Sequence, residues 1–263
     1  MITNICEQRL LVVSDTHLGN PLFKSRKRFV KFLRYAWMNS WNVCINGDGV
    51  DIVQTTISRI TRDLSECAIQ LRRFSEHGLR VYYTVGNHDI ILENFLDDWD
   101  IVCVVPFLNV ASGDRRIRIE HGHLYDKSYV NYPTIFHLAT WMGGVALQIH
   151  PRCYKMFEQW KPLVEKAGRL LKKNDVIELF AGSEDAETIA GEPAWYRPVA
   201  EEIARHGFDA VIFGHTHLKG QIGLSTGATY INTGSWLFEP HYAEIDHGQV
   251  TLKRVGDLDG MAE

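Results

Sequence analysis

Five short stretches of the sequence end in side chains that bind metal ions: "SDTH" (Asp15, His17), "NGD" (Asp48), "GNHD" (Asn87, His88), "EHGH" (His121) and "GHTH" (His215, His217). Each closes a run of apolar residues, and packing gives a strand no reason to end in Asn-His-Asp. Leaving His88 aside, the set holds four histidines, two aspartates and one asparagine. Seven donors are too many for one tetrahedral zinc site. They suit two divalent ions about 3.5–4 Å apart that share a carboxylate. Asp48 is the natural bridge, since a carboxylate has two oxygens. Mixed nitrogen and oxygen donors favour manganese, iron or zinc over calcium or magnesium, with manganese the first expectation. Water held between two such ions ionises near neutral pH and becomes a nucleophile.

The donors lie up to 200 residues apart, so the fold must bring them together. Short apolar runs rich in β-branched residues alternate with helical patterns. "RLLVVSD", "NVCINGD", "LRVYYTVGNHD", "RRIRIEHGH" and "FDAVIFGHTH" read as strands, followed by "TYINTGSW" and a strand pair over 241–254. Residues 23–39 and 57–77 carry apolar side chains at helical spacing, and Gly78 is placed to stop the second helix. The alternation predicts an α/β sandwich. In an α/β sheet the C-terminal strand ends form the ligand crevice. There Asp15 and His17, two apart in an extended segment, can reach one ion; so can His215 and His217, or each pair can straddle two ions. Gly47, Gly86, Gly122 and Gly214 permit tight turns and close backbone approach.

Composition narrows the function classes. The chain has 263 residues, 45% of them hydrophobic, enough for a sizeable core. A formal charge of −4 argues against a general nucleic-acid binder, so no nucleic-acid partner is expected. The N-terminus lacks a basic region followed by a long apolar stretch, which argues against a signal peptide. The five cysteines (Cys6, Cys44, Cys67, Cys103, Cys153) are scattered, and no CxxC pair exists. That fits reduced thiols used for packing in a cytoplasmic protein.

The ordered series D-x-H, GD, GNHD, H and GHTH resembles the calcineurin-like metallophosphoesterases, with residues 9–123 and 205–254 as the shared core. The resemblance implies two mixed β-sheets flanked by helices in a single domain spanning 1–263. It also implies phosphoester hydrolysis with a metal-bridging hydroxide as nucleophile. By the same resemblance Asp15, His17, Asp48 and His217 hold one ion, and Asp48, Asn87, His121 and His215 hold the other. His88 faces the phosphate to stabilise the transition state or protonate the leaving oxygen, and Asp89 orients His88. Asp89 as a simple turn-former is the plainer alternative. Asp51 is expected to cap the segment that follows it. His123 is either an outer group behind the ligands or structural. His77, His137, His150, His206, His241 and His247 match no motif and are expected to be structural or on the surface.

From 124 to 194 the alternation gives way to a mostly helical insertion, expected to cap the site. Residues 128–151 contain no Asp, Glu, Lys or Arg, whereas residues 152–173 carry a net charge of +5, leaving −9 for the rest. An apolar stretch beside a basic one fits an amphiphilic substrate or peripheral contact with the anionic inner face of a membrane. An ordinary buried helix hairpin is the plain alternative. The arrangement resembles the UDP-2,3-diacylglucosamine pyrophosphatase branch of the superfamily, in which a helical insertion holds acyl chains. That resemblance implies a lipid-linked diphosphate substrate in lipid A synthesis. The branch reads Gly-Asn-Arg-Asp and His-Gly-Asp where this chain reads "GNHD" and "HGH". Arg152, Lys155 and Arg197 are candidate phosphate contacts. A nucleotide phosphodiesterase or a phosphoprotein phosphatase is the alternative enzyme. A scaffold without activity would be expected to lose ligands, and this chain keeps all seven.

Overall fold

The computed structural model describes residues 3–131 and 188–258. In chain order these form β1 (Asn4–Cys6), β2 (Arg9–Val13), α1 (Arg26–Met38), β3 (Asn42–Asn46), α2 (Ile57–Glu76), β4 (Val81–Thr84), β5 (Cys103–Val105), β6 (Leu108–Ser112), β7 (Arg115–Ile119) and α3 (Lys127–Asn131). After residue 188 come α4 (Tyr196–Arg205), β8 (Ala210–Phe213), β9 (Gly220–Gly223), β10 (Thr229–Asn232), β11 (His241–Asp246) and β12 (Gln249–Arg254). Two six-stranded mixed sheets result, ordered β12-β11-β2-β3-β4-β5 and β1-β6-β7-β8-β10-β9.

Burial on both faces explains the continuous apolar runs. Along β2, Leu10 and Val12 point into the layer between the sheets, while Leu11 and Val13 point to the helix layer. Along β8, Ala210 and Ile212 face the same inter-sheet layer, whereas Val211 and Phe213 pack with Tyr196 and Ala200 of α4. Helix α1 buries Phe29, Phe32, Leu33 and Ala36, and α2 buries Ile60, Cys67 and Phe74. Gly78 takes a φ of 68° just past α2, as its position predicts.

Strands β2, β3 and β4 run parallel to one another, and so do β7 and β8 in the other sheet. Their C-terminal ends carry all five ligand-bearing stretches. The helical cap expected over 124–194 falls mostly outside the described residues, as do Arg152 and Lys155. Within its described margins lie a 3₁₀ turn at His123–Tyr125 and helix α3. No helix among the described residues is long and apolar enough to cross a membrane. Cys44, Cys67 and Cys103 are buried free thiols, as packing cysteines should be, and Cys6 is exposed.

Trp236 joins the site's rear wall to α1. It is fully buried, with Phe29 and Phe32 edge-on at 5.0 and 5.3 Å. Its Nε1–H donates to the His241 carbonyl at 3.1 Å. Trp236→Ala is expected to cost about 3–5 kcal/mol of unfolding free energy, read from urea denaturation. A loss under about 1 kcal/mol would show that this cluster is not central to the core.

Candidate metal centre

Five of the site residues adopt a backbone that side chains ordinarily avoid. Asp15, His17, Asp48, His215 and His217 have φ of 51°, 47°, 50°, 65° and 62°. Left-handed positions of this kind cost on the order of 1–3 kcal/mol each for non-glycine residues. The expectation of extended i, i+2 pairs is therefore corrected: each pair flanks a threonine in a left-handed turn. Hydrogen bonds between the strand-end loops hold these turns. Asp15 N–H donates to the Gly47 carbonyl at 3.1 Å, and His17 N–H to the Asp48 carbonyl at 2.9 Å. His215 N–H donates to Asp15 Oδ2 at 3.1 Å, and His88 N–H to Asp48 Oδ1 at 2.8 Å. Two glycines allow the loops to come this close. A β-carbon on Gly86 would collide with the Asp48 carboxylate, and one on Gly47, whose φ is 72°, with the His121 ring.

The side chains form two donor sets that meet at Asp48. In the first, Asp15 Oδ1 lies 3.1 Å from His217 Nε2 and 3.9 Å from His17 Nε2, and the two imidazole nitrogens are 3.2 Å apart. In the second, His121 Nε2 lies 3.4 Å from Asp48 Oδ2 and 3.3 Å from Asn87 Oδ1. Asn87 Oδ1 is in turn 2.8 Å from His215 Nδ1. Asp48 Oδ2 is also 3.9 Å from His17 Nε2, so it faces both sets. The pair at 15 and 17 thus serves one set, and the pair at 215 and 217 divides between the two.

The residues fit divalent ions. Asp15 Oδ1 is buried and meets no donor in hydrogen-bond geometry; its neighbours at 3.1 and 3.9 Å are the ligand-type nitrogens of His217 and His17. The trios Asp15–His17–His217, Asp15–Asp48–His121 and His17–Asp48–His88 each offer ligand atoms within 4.8 Å of one another. Burial disfavours charge on Asp48, yet the His121 and His88 imidazoles hold its carboxyl well below the usual carboxylate range. Conversely, Asp48 and Asp15 push His121 up to about 10 against the effect of its own burial. Divalent ions would take the place of these protons as the counter-charge.

Outer partners fix the ring orientations. His121 Nδ1 faces the Asn46 carbonyl at 2.9 Å, which turns Nε2 to the site. Asn46 is itself held by Thr84 Oγ1 at 2.7 Å and the Glu120 carbonyl at 2.9 Å. His215 Nε2 meets Asp126 Oδ2 at 3.0 Å, which turns Nδ1 inward.

His88 finds its partner in Asp51, whose Oδ1 is 3.1 Å from Nδ1. Asp51 Oδ1 also caps Gln54 N–H at 2.9 Å, so the expected capping role is present beside a second one. The expectation that Asp89 orients His88 is corrected. Fully buried Asp89 instead accepts from Gly86 N–H at 2.7 Å, from Gly49 N–H at 2.9 Å and from the Tyr83 hydroxyl. It is an anchor for two ligand loops. His123 packs against His121 and Tyr129, with ring centroids at 5.4 and 5.3 Å, and neither of its nitrogens is hydrogen-bonded. Burial, aided by the neighbouring His121 and His215, lowers it to about 3, so it is neutral packing behind the ligands. Arg197 pairs its Nε with Glu201 Oε1 at 3.2 Å along α4.

Glu192 was not visible as a site residue in the sequence. Its Oε1 accepts from Tyr230 at 2.8 Å, Asn232 at 2.8 Å and Thr216 at 3.1 Å, while Asn232 also donates to the Gly214 carbonyl at 2.8 Å. It thereby braces the turn that presents His215 and His217.

Residues 8–219 match the family model for calcineurin-like phosphoesterases. The chain is similar to a UDP-2,3-diacylglucosamine hydrolase of Stenotrophomonas maltophilia (strain K279a), at 22% identity over 256 residues, covering 92% of this chain and 96% of that protein. Among solved structures it is similar to a dimetal phosphatase from Danio rerio, with a TM-score of 0.50 and 14% identity over 94% of this chain and 95% of that one. It is also similar to Vps29 of Chaetomium thermophilum, with a TM-score of 0.45 and 10% identity over 94% of each chain.

Burial raises Glu192 to about 7 despite its three hydrogen bonds. A folded value above the unfolded one means that stability is full below about 4.5 and is lost as pH rises through about 7. Unfolding free energy is expected to fall by roughly 3 kcal/mol between pH 5 and 8.5. Glu192→Gln should remove that portion of the slope in pH-dependent urea titrations. Identical slopes in the two proteins would contradict the assignment.

Proposed function

This chain belongs to the calcineurin-like phosphoesterases and is a metal-dependent phosphoesterase, and from that premise we propose a two-metal phosphodiesterase or pyrophosphatase acting on an amphiphilic diphosphate. The observation that carries the metal assignment is the pair of buried donor sets that share Asp48. Asp15, His17, Asp48 and His217 hold one ion; Asp48, Asn87, His121 and His215 hold the second. Bound divalent ions, with manganese the first choice for this donor mixture, supply Lewis-acid charge to phosphoryl oxygens and bring the pKa of water toward neutrality.

The protein's own contribution is positioning and proton control. His88 is fixed through Nδ1 by Asp51, which leaves Nε2 for the substrate. Without metal, burial opposes its charge, but Asp48 and Asp51 raise it to about 9; Asp51, which is not a proposed ligand, keeps its part of that effect when ions are bound. With Nδ1 held by Asp51, its Nε2 is placed to donate a hydrogen bond to a phosphoryl oxygen and, in the protonated form, a proton to the leaving oxygen. The left-handed turns hold the donors before substrate arrives, so little reorganisation accompanies reaction.

Two features support an acylated nucleotide diphosphate related to UDP-2,3-diacylglucosamine. The similarity to the Stenotrophomonas hydrolase runs over nearly the full length of both chains. The uncharged stretch 128–151 followed by the basic stretch 152–173 matches the two chemistries of such a substrate. On this reading the region 124–194 caps the site, and the enzyme works at the inner face of a membrane.

Asp48→Ala should retain the circular dichroism spectrum while abolishing turnover of bis(p-nitrophenyl) phosphate with Mn²⁺; surviving activity would sink the two-metal reading. His88→Gln should keep its metal content yet lose about 10²-fold or more in kcat. An unchanged kcat would remove His88 from the reaction. For the substrate, mass spectrometry should show cleavage of UDP-2,3-diacylglucosamine at a much higher kcat/KM than of the same nucleotide sugar without acyl chains. Equal rates would exclude acyl recognition.

A further inference from the structure

A cleft of about 480 Å³ opens beside the Asn20–Phe23 turn, between the N-terminal ends of α1 and α2. Five cations line it, Lys24, Arg26 and Lys27 from one side and Arg59 and Arg62 from the other, against the single acid Asp63. None of the seven proposed metal ligands lines it.

This charge is opposed by helix stability. A helix start carries partial positive charge and favours acidic side chains. Neither α1 nor α2 has an acidic residue in its first turn or a side-chain cap on its free N–H groups. Asp63 is buried and held by Gly19 N–H at 3.1 Å; it pairs with Arg26 at 3.3 Å and with Arg62 at 3.4 Å. Glu66 adds a contact to Arg26 at 3.7 Å. These acids fix the two arginines as a frame. Lys24, Lys27 and Arg59 have no ion pair among the described residues, so the cleft keeps a surplus of positive charge. Its volume lies in the range of small-molecule sites, roughly 300–1,000 Å³, and exceeds what one phosphate needs.

The cleft is also connected to the reaction centre. Asn20, one of its lining residues, donates from Nδ2 to Asp51 Oδ2 at 2.6 Å, and Asp51 holds His88. Two side chains thus separate an occupant of the cleft from the imidazole that faces substrate.

We propose that this cleft binds a phosphate-bearing anion at a site distinct from the metal centre and joined to it through Asn20 and Asp51. The anion is either a second phosphate of an extended substrate or a separate phosphorylated small molecule. Recognition is by Lys24, Lys27 and Arg59, with Arg26 and Arg62 completing the positive wall.

The test is isothermal titration of inorganic pyrophosphate into the metal-loaded full-length protein and its Lys24→Ala/Lys27→Ala/Arg59→Ala variant. The altered side chains are exposed or half-exposed, and circular dichroism verifies the fold. Wild type is expected to show two classes of site, and the variant to lose one or weaken it by at least about tenfold. Steady-state kinetics then separate the two sources. A rise in KM for UDP-2,3-diacylglucosamine, with KM for bis(p-nitrophenyl) phosphate unchanged, identifies a substrate phosphate. Loss of pyrophosphate binding with both KM values unchanged identifies a separate ligand. A single class of site in wild type, or two classes unaltered in the variant, overturns the proposal. The binding result does not depend on turnover, so it stands or falls apart from the proposed reaction.

Discussion

Negative charge buried at Asp48 is the constraint around which the site is organised. A carboxylate this deep is stable only if it is surrounded by donors or cations. Asp48 Oδ1 receives the His88 backbone N–H, and Oδ2 faces His121 and His17. The same oxygen therefore borders both donor sets, and both also draw on the opposite sheet, one through His217 and the other through His121 and His215. Anything that displaces Asp48 displaces both sets together.

The two sheets meet at the strand-end loops, where backbone strain is concentrated. Five left-handed residues would be a liability in isolated loops. Here four of them are tied by hydrogen bonds between ligand loops, Asp15 to Gly47, His17 to Asp48 and His215 to Asp15, and the His217 ring meets Asp15 Oδ1 at 3.1 Å. The fully buried layer between the sheets, with Val12, Ile119 and Ile212 among its members, keeps these loops in register. Core packing thus supplies the rigidity that the site uses, and Asp89 and Glu192 carry that rigidity into the ligand turns.

Much of this was legible in the sequence, for a physical reason. Strands buried on both faces must be continuous apolar runs, so the abrupt arrival of Asp15, Asp48, Asn87 or His121 marks a strand end and a polar site at once. The less legible parts lack such contrast. β1 has three residues and β9 reads Gly-Gln-Ile-Gly, too short or too polar to stand out. Nothing in Asp-Thr-His announces a left-handed turn. Asp51 carries the same letter whether it caps a segment or holds His88, and here it does both. Glu192 acts only because the fold delivers it to Tyr230 and Asn232, about 40 residues away. The basic cleft joins residues from two helices whose packing no local pattern encodes.

Metal stoichiometry and coupling test the central claim most directly. Manganese-loaded protein, freed of unbound ion, would be assayed by plasma mass spectrometry and electron paramagnetic resonance. Two donor sets sharing Asp48 predict two ions per chain and the multiline spectrum of an exchange-coupled pair. One ion per chain, or two ions with the uncoupled six-line spectrum, would contradict a carboxylate-bridged centre.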